Sequence, residues 1–123
     1  MPARCYELHG VRVLECAPEE TRLGSDRDAV DLIGRAFENR AALIVVPVEC
    51  LDDDFFRLRT RVAGEIVQKF VTYRRRVVIV GDISRHLAES SALRAFVSES
   101  NRGKDLWFLA SLEELSKRLA QAV

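Results

Sequence analysis

The sequence predicts an α/β fold: one domain spanning residues 1–123, with a mixed sheet of about five strands, an N-terminal hairpin and then alternating helices and parallel strands. Leu43 to Val48 and Val77 to Val80 are apolar at every position, as strands covered on both faces are. The segment between them has helical periodicity, and a strand–helix–strand unit of that length implies parallel pairing through a right-handed crossover. Ahead of both, Arg4 to Cys16 reads as a β-hairpin turning at His9-Gly10.

The two-residue turn sets Leu8 opposite Val11, Glu7 opposite Arg12 and Tyr6 opposite Val13. Tyr6, Leu8, Val11 and Val13 then share one face, and Glu7 with Arg12 forms an opposite-charge pair on the other. Gly10 supplies the positive φ of the turn. Beyond Pro18 and Gly24, Ser25 and Asp28 form a capping pair for a first helix. Its predicted buried stripe is Val30, Ile33 and Phe37, flanked by Ala29, Leu32 and Ala36. Pro47 lacks a ladder donor and belongs near the end of the strand that follows.

A second helix is expected from Phe55 or Thr60 to Arg75, burying Val62, Ile66, Phe70 and Tyr73, with Ala63, Val67 and Val71 beside them. Its outer face carries Arg61, Gly64, Glu65, Gln68 and Thr72. After Val77–Val80, Ser84 or Ser91 would cap a short helix with Leu93, Phe96 and Val97 inward. Ser98 to Lys104 then reads as a polar loop with Asn101 and Gly103 as turn residues. Leu106 to Leu109 is the last strand, and Ser111 with Glu114 opens a final helix burying Leu112, Leu115 and Leu119.

Hydrophobic residues make up 48% of the chain and charged ones 31%, a globular profile. With 19 basic and 19 acidic residues the net charge is zero, which argues against nucleic acid or an anionic membrane as a partner. Arg74-Arg75-Arg76 suits a helix C-terminus. Glu7 and Arg12 interrupt the first apolar stretch, unlike a signal peptide, and no apolar run reaches membrane-spanning length, so a cytoplasmic protein is expected. Cys5, Cys16 and Cys50 lack C-x-x-C spacing and fit neither a disulfide framework nor a zinc site.

The candidate chemistry is sparse, and neither a cofactor, a metal nor a catalytic residue is expected. Asp52, Asp53 and Asp54 follow one parallel strand and Asp82 the next, the sheet edge where open α/β sheets bind ligands. They could hold Mg²⁺ or, more simply, cap the helices that start there. Glu65 with Lys69 and Gln68 with Thr72 are spaced i,i+4, as on a solvated face or a partner-binding one. Gly64 lies mid-helix, where glycine costs about 1 kcal/mol relative to alanine and marks close approach of another group. Cys50 and His86 follow neighbouring strands, but nothing orients the histidine. No Gly-rich phosphate loop occurs.

The strings FRLRTRVAGEIVQKFVTYRRRVVIVGDIS and ALRAFVSESNRGKDLWFLASLEEL closely resemble a bacterial family catalogued as domain of unknown function 4180, over nearly the whole chain. Arg59, Thr60, Ala63, Gly64, Glu65, Gln68, Lys69, Phe70, Tyr73, Gly81, Asp82 and Glu99 through Gly103 fill the family's pattern. Arg61 and Thr72 stand where the pattern has Gly and Asn. The family implies no established activity. A weaker resemblance is to the STAS domains of anti-sigma-factor antagonists, which bind partners at the helix after the third strand. Those carry a phosphorylatable Ser or Thr in a short turn there. Here the turn is the longer DDDFFRLRT, with Thr60 its only hydroxyl.

These features point to a non-enzymatic binding or regulatory module recognising a protein partner. The expected surface is Arg59, Thr60, Gly64, Glu65, Gln68, Lys69, Asp82, Asn101 and Arg102, around one sheet edge. The alternative is a small-ligand binder or enzyme using Asp82, Glu65 and Arg102 in a pocket there. A third expectation is a homodimer formed on a sheet face that helices leave bare.

Overall fold

The hairpin takes the register that its turn demands. In the computed structural model, which describes residues 3–19 and 21–122, β1 (Ala3–Leu8) and β2 (Val11–Cys16) pair antiparallel with Tyr6, Glu7 and Leu8 opposite Val13, Arg12 and Val11. His9 (φ 50°) and Gly10 (φ 83°) are both left-handed, as a type I′ turn requires. The expected Glu7–Arg12 ion pair does not form. Arg12 Nε donates instead to the Asn39 carbonyl at 2.9 Å, tying the hairpin to the end of the first helix.

Strands β3 (Leu43–Pro47), β4 (Arg76–Val80) and β5 (Leu106–Leu109) continue the sheet in the order β1-β2-β3-β4-β5, parallel from β2 onward. Every crossover steps the same way, so right-handed connections stack their helices on one face. That face buries Ile44, Val46, Val77 and Ile79 beneath α1 (Asp26–Glu38), α3 (Val62–Thr72) and α5 (Ser91–Arg102). The last helix, α6 (Leu112–Ala122), folds over the other face and buries Leu43, Val45, Val78 and Trp107 under Leu115 and Leu119. Arg118 of α6 and Arg76 of β4 both lie over the Trp107 ring, at 3.9 Å and 4.5 Å from its centre. The face expected to be bare is therefore covered across its central strands.

Helix α1 starts as expected: the Asp28 N–H donates to Ser25 Oγ at 3.1 Å, while the Asp28 carboxylate accepts from the Gly24 N–H at 2.9 Å. Its buried face is Ala29, Leu32, Ile33 and Ala36, whereas Val30 and Phe37 are 40% and 49% exposed. Two alanines let the helix lie close to the sheet, which turns the larger pair outward.

The expected second helix is broken. Asp53–Phe56 form a short helix α2, a 3₁₀ turn covers Leu58–Thr60, and α3 begins only after Arg61, which is left-handed at φ 65°. Phe55 and Phe56 are both buried. Helical phase alone does not require the break, since Phe55, Phe56, Ile66 and Phe70 would share one arc of about 100°; the extended Arg57 (φ −95°, ψ 95°) and the left-handed Arg61 make it. Ala63, Ile66 and Phe70 form the buried face of α3, and Val71 and Tyr73 of the expected stripe are 40% and 43% exposed.

Beyond β4, α4 (Ser84–Glu89) precedes α5, whose cap is Ser90, accepting from the Leu93 N–H at 3.0 Å, rather than Ser84 or Ser91. Helix α5 runs to Arg102 through most of the expected polar loop. Its end is held because Asn101 Oδ1 accepts from the Phe108 N–H at 2.7 Å and its amide donates back to the Phe108 carbonyl at 3.3 Å. At α6 the Glu114 N–H donates to Ser111 Oγ at 3.2 Å, and the Glu114 carboxylate accepts from the Ala110 N–H at 2.8 Å.

Phe70→Ala, at the centre of the larger cluster, is expected to lower the unfolding free energy by about 3–5 kcal/mol, and Ser90→Ala by about 1 kcal/mol. Urea denaturation of the three proteins checks both values.

Candidate functional site

The carboxyl edge of the sheet is where the chain becomes irregular. Gly81 ends β4 at φ 143°, and a Cβ placed there would lie 2.9 Å from the Val48 side chain just beyond β3. The missing side chain thus lets the exits of β3 and β4 touch. Asp82 follows; its carboxylate accepts from the Ser84 N–H at 2.9 Å, and hydrogen bonds from Ser84 hold its pKa below the usual range. The three aspartates that follow β3 each have a basic partner: Asp52 pairs with Arg22, Asp53 with Arg85 at 3.2 Å, and Asp54 with Arg57 at 3.6 Å. They brace neighbouring segments rather than converge, and Asp52, at the start of α2, makes no side-chain capping hydrogen bond. Among the described residues no three His, Cys, Asp or Glu side chains come together as a metal site.

Three depressions take in most of the expected site residues. The first, about 630 Å³, opens between α2, the 3₁₀ turn and α4, and includes Asp53, Phe56, Arg57, Arg59, Arg85 and His86. The His86 imidazole stacks on Phe56, with centres 4.1 Å apart and planes 11° from parallel. Its Nε2 lies 3.9 Å from the Asp53 carboxylate and 3.2 Å from Arg85. Cys50 is buried away from it, within electrostatic reach of Cys16, so no Cys50–His86 pair exists. Arg59 is exposed and has no ion-pair partner among the described residues.

The second depression, about 680 Å³, lies over α3 and joins Gly64, Glu65, Gln68 and Lys69 with Arg61 above the partly buried Leu58 and Phe96. No atom lies within 4 Å of the position a Gly64 Cβ would take. Gln68 reaches Thr72 at 3.4 Å, as the spacing implies, but Glu65 and Lys69 form no ion pair. The third, about 390 Å³, holds Asp82 and Asn101 at the ends of β4 and β5.

The nine expected residues therefore do not form one site. Helix α3 runs antiparallel to the strands and carries positions 64–69 away from the carboxyl edge, onto the outer surface of the helix layer. Thr60 closes the 3₁₀ turn instead of facing a ligand: its hydroxyl lies 2.7 Å and 2.8 Å from the Asp54 and Arg57 carbonyls and accepts from the Val62 N–H at 3.3 Å. Arg102 pairs with Glu99 at 3.7 Å and borders none of these depressions. The Phe56–His86–Asp53–Arg85 group escaped sequence reasoning. No local pattern signalled it, because Phe56 and His86 meet only through the packing of separate elements.

A family model described as a domain of unknown function, DUF4180, matches residues 8–119. The chain belongs to the DUF4180 family. No curated protein and no solved structure matches it. The likeness to STAS domains consequently rests on element order alone. The DUF4180 membership spans all three depressions and fixes no chemistry for any of them.

The thiols are unsuited to nucleophilic work. Burial, above all, pushes Cys16 up to about 11 and Cys50 up to about 12, from an ordinary value of 9.0. Both groups are held neutral in the folded chain, so stability from them is complete below the unfolded thiol pKa and falls as pH rises through 9.0 toward 11. Urea melts at increasing alkaline pH should show a declining midpoint, with the decline reduced in Cys16→Ala.

Gly64 and Gly81 should respond in opposite directions. Gly64→Ala is expected to raise stability by about 1 kcal/mol, and Gly81→Ala to lower it by about 1–3 kcal/mol through backbone strain. Paired urea melts decide both.

Proposed function

We propose that this protein is a non-enzymatic binding module of STAS-like architecture, cytoplasmic and regulatory, that recognises a protein partner through the outer face of α3. Gly64 carries the proposal. A helix-interior glycine sacrifices about 1 kcal/mol of propensity, and here no contact within the chain requires it. The room it leaves is flanked by Gln68 and by Glu65 and Lys69, whose charges are not spent on each other. An approaching backbone would use that room and those groups together. The scattering of Asp82, Asn101, Arg102 and Thr60, each engaged locally, supports binding over catalysis.

Gly64→Arg tests the reading. The immobilised wild-type protein should retain a defined protein from its native cell, and the folded Gly64→Arg variant should not. Equal retention by both would remove α3 as the recognition face.

A second reading, a small-ligand site, is favoured by one observation. Arg57, Arg59 and Arg85 ring the Phe56–His86 stack, an arrangement suited to a flat, anionic molecule. A nucleotide panel that raises the melting temperature of the wild type but not of Arg59→Ala would support it; no shift with any nucleotide would count against it.

A further inference from the structure

Where the chains leaving two neighbouring parallel strands turn to opposite faces of a sheet, a crevice opens between the strand ends, and open α/β sheets bind ligands there. The chains leaving β2, β3 and β4 all pass to the face covered by α1, α3 and α5. Only β5 sends its chain to the other face, into α6. The exits of β4 and β5 are therefore the one place in this sheet where adjacent parallel strands part in this way. The Gly81 N–H donates to the Leu109 carbonyl at 3.0 Å, the last rung between them. Beyond it the chain from Asp82 runs to α4 and the chain from Ala110 to α6.

The depression of about 390 Å³ lies in this crevice. Val97 and Phe108, 9% and 7% exposed, form an apolar wall with the half-buried Leu87, while Asp82, Ser84 and Ala110 make an exposed rim. A mostly apolar concavity with a few polar groups is the build of a small-molecule site. Asn101 stiffens the wall, because its amide bonds both ways with the Phe108 backbone.

The charge at the site has one sign. Asp82 is the only charged side chain bordering the depression, and no Arg, Lys or His does so. Unlike Asp52, Asp53 and Asp54, Asp82 has no basic partner within 4 Å among the described residues. Bonds from Ser84 hold it ionised, yet a carboxylate has about four acceptor positions and Ser84 occupies only part of them. Glu114 adds a second negative charge beside the rim, its carboxylate accepting from the Ala110 N–H at 2.8 Å. An anion would be repelled here, and a bare metal ion would gain nothing from apolar walls. A cation carried on a carbon skeleton satisfies the carboxylate and the walls together.

We propose that the crevice between the carboxyl ends of β4 and β5 binds a small organic amine, its ammonium on Asp82 and its apolar body against Leu87, Val97 and Phe108. The site is separate from the α3 face and from the depression beside Phe56, whose arginines favour the opposite charge.

Heteronuclear NMR titration with phenethylamine tests the proposal, with phenethyl alcohol as its uncharged counterpart. The amine should shift the Gly81, Asp82, Ser84 and Asn101 resonances along a saturable curve, and the alcohol should bind about tenfold more weakly or less, as loss of one charge-assisted hydrogen bond implies. Asp82→Asn keeps an oxygen for the Ser84 N–H and should weaken the amine by a similar factor while leaving the alcohol unchanged. Ala110→Lys, at an exposed position, brings a competing ammonium to the rim and should abolish the amine shifts. Shifts that never saturate, that are equal for amine and alcohol, or that keep wild-type strength in Asp82→Asn overturn the inference. Saturable shifts confined to α3 or to the Phe56–His86 stack overturn it as well.

Discussion

The burial of β3 on both faces organises the rest of the molecule. Leu43 and Val45 project to one side and Ile44 and Val46 to the other, all removed from water. Each such side chain contributes roughly 1.5–3 kcal/mol by burial, so both faces need a cover. Because the strands are ordered as they occur in the sequence, right-handed crossovers place α1, α3 and α5 on one side. The other side is left to α6 alone. Trp107, gripped between Arg76 and Arg118, fixes that helix to the sheet.

The same geometry decides what is free to bind. A three-helix layer has one inner face and one outer face. Its inner positions are taken by Ala29, Ile33, Ala63, Ile66 and Phe70, small and large side chains fitted against the sheet. Whatever those helices carry on their outer side is presented to other molecules. On α1 and α3 that includes exposed apolar side chains and open glycine positions, features that folding of one chain does not itself require.

A separate constraint shapes the carboxyl edge. An extended Arg57 and a 3₁₀ turn over Leu58–Thr60 break the helix that periodicity alone would draw from Phe55 to Arg75. The break costs a left-handed Arg61 and is stabilised by the Thr60 hydroxyl, which bonds within its own turn. In return it seats Phe56 against His86 and opens the arginine-ringed depression beside them. Nothing resembling an activated nucleophile occurs there, and burial holds the Cys16 and Cys50 thiols in their neutral form.

Local patterns in the sequence determined the hairpin register, the three apolar strands β3, β4 and β5, the caps at Ser25 and Ser111, and the α/β class. Each depends on neighbouring residues: turn chemistry at His9-Gly10, uniform apolarity, or a hydroxyl three residues before its N–H donor. Family membership was legible for the same reason, since long polar strings survive without reference to shape. Only the tertiary structure decided which stripe of each helix faces inward. Val30, Phe37 and Tyr73 are apolar at helical spacing, yet the close seat provided by alanines turned them out. It also decided that Asn101 is a clamp on β5 and that the residues expected around one edge separate into three places. Spacing along a chain fixes what one element can present; which way that element is rolled and aimed is set by the neighbours it packs against.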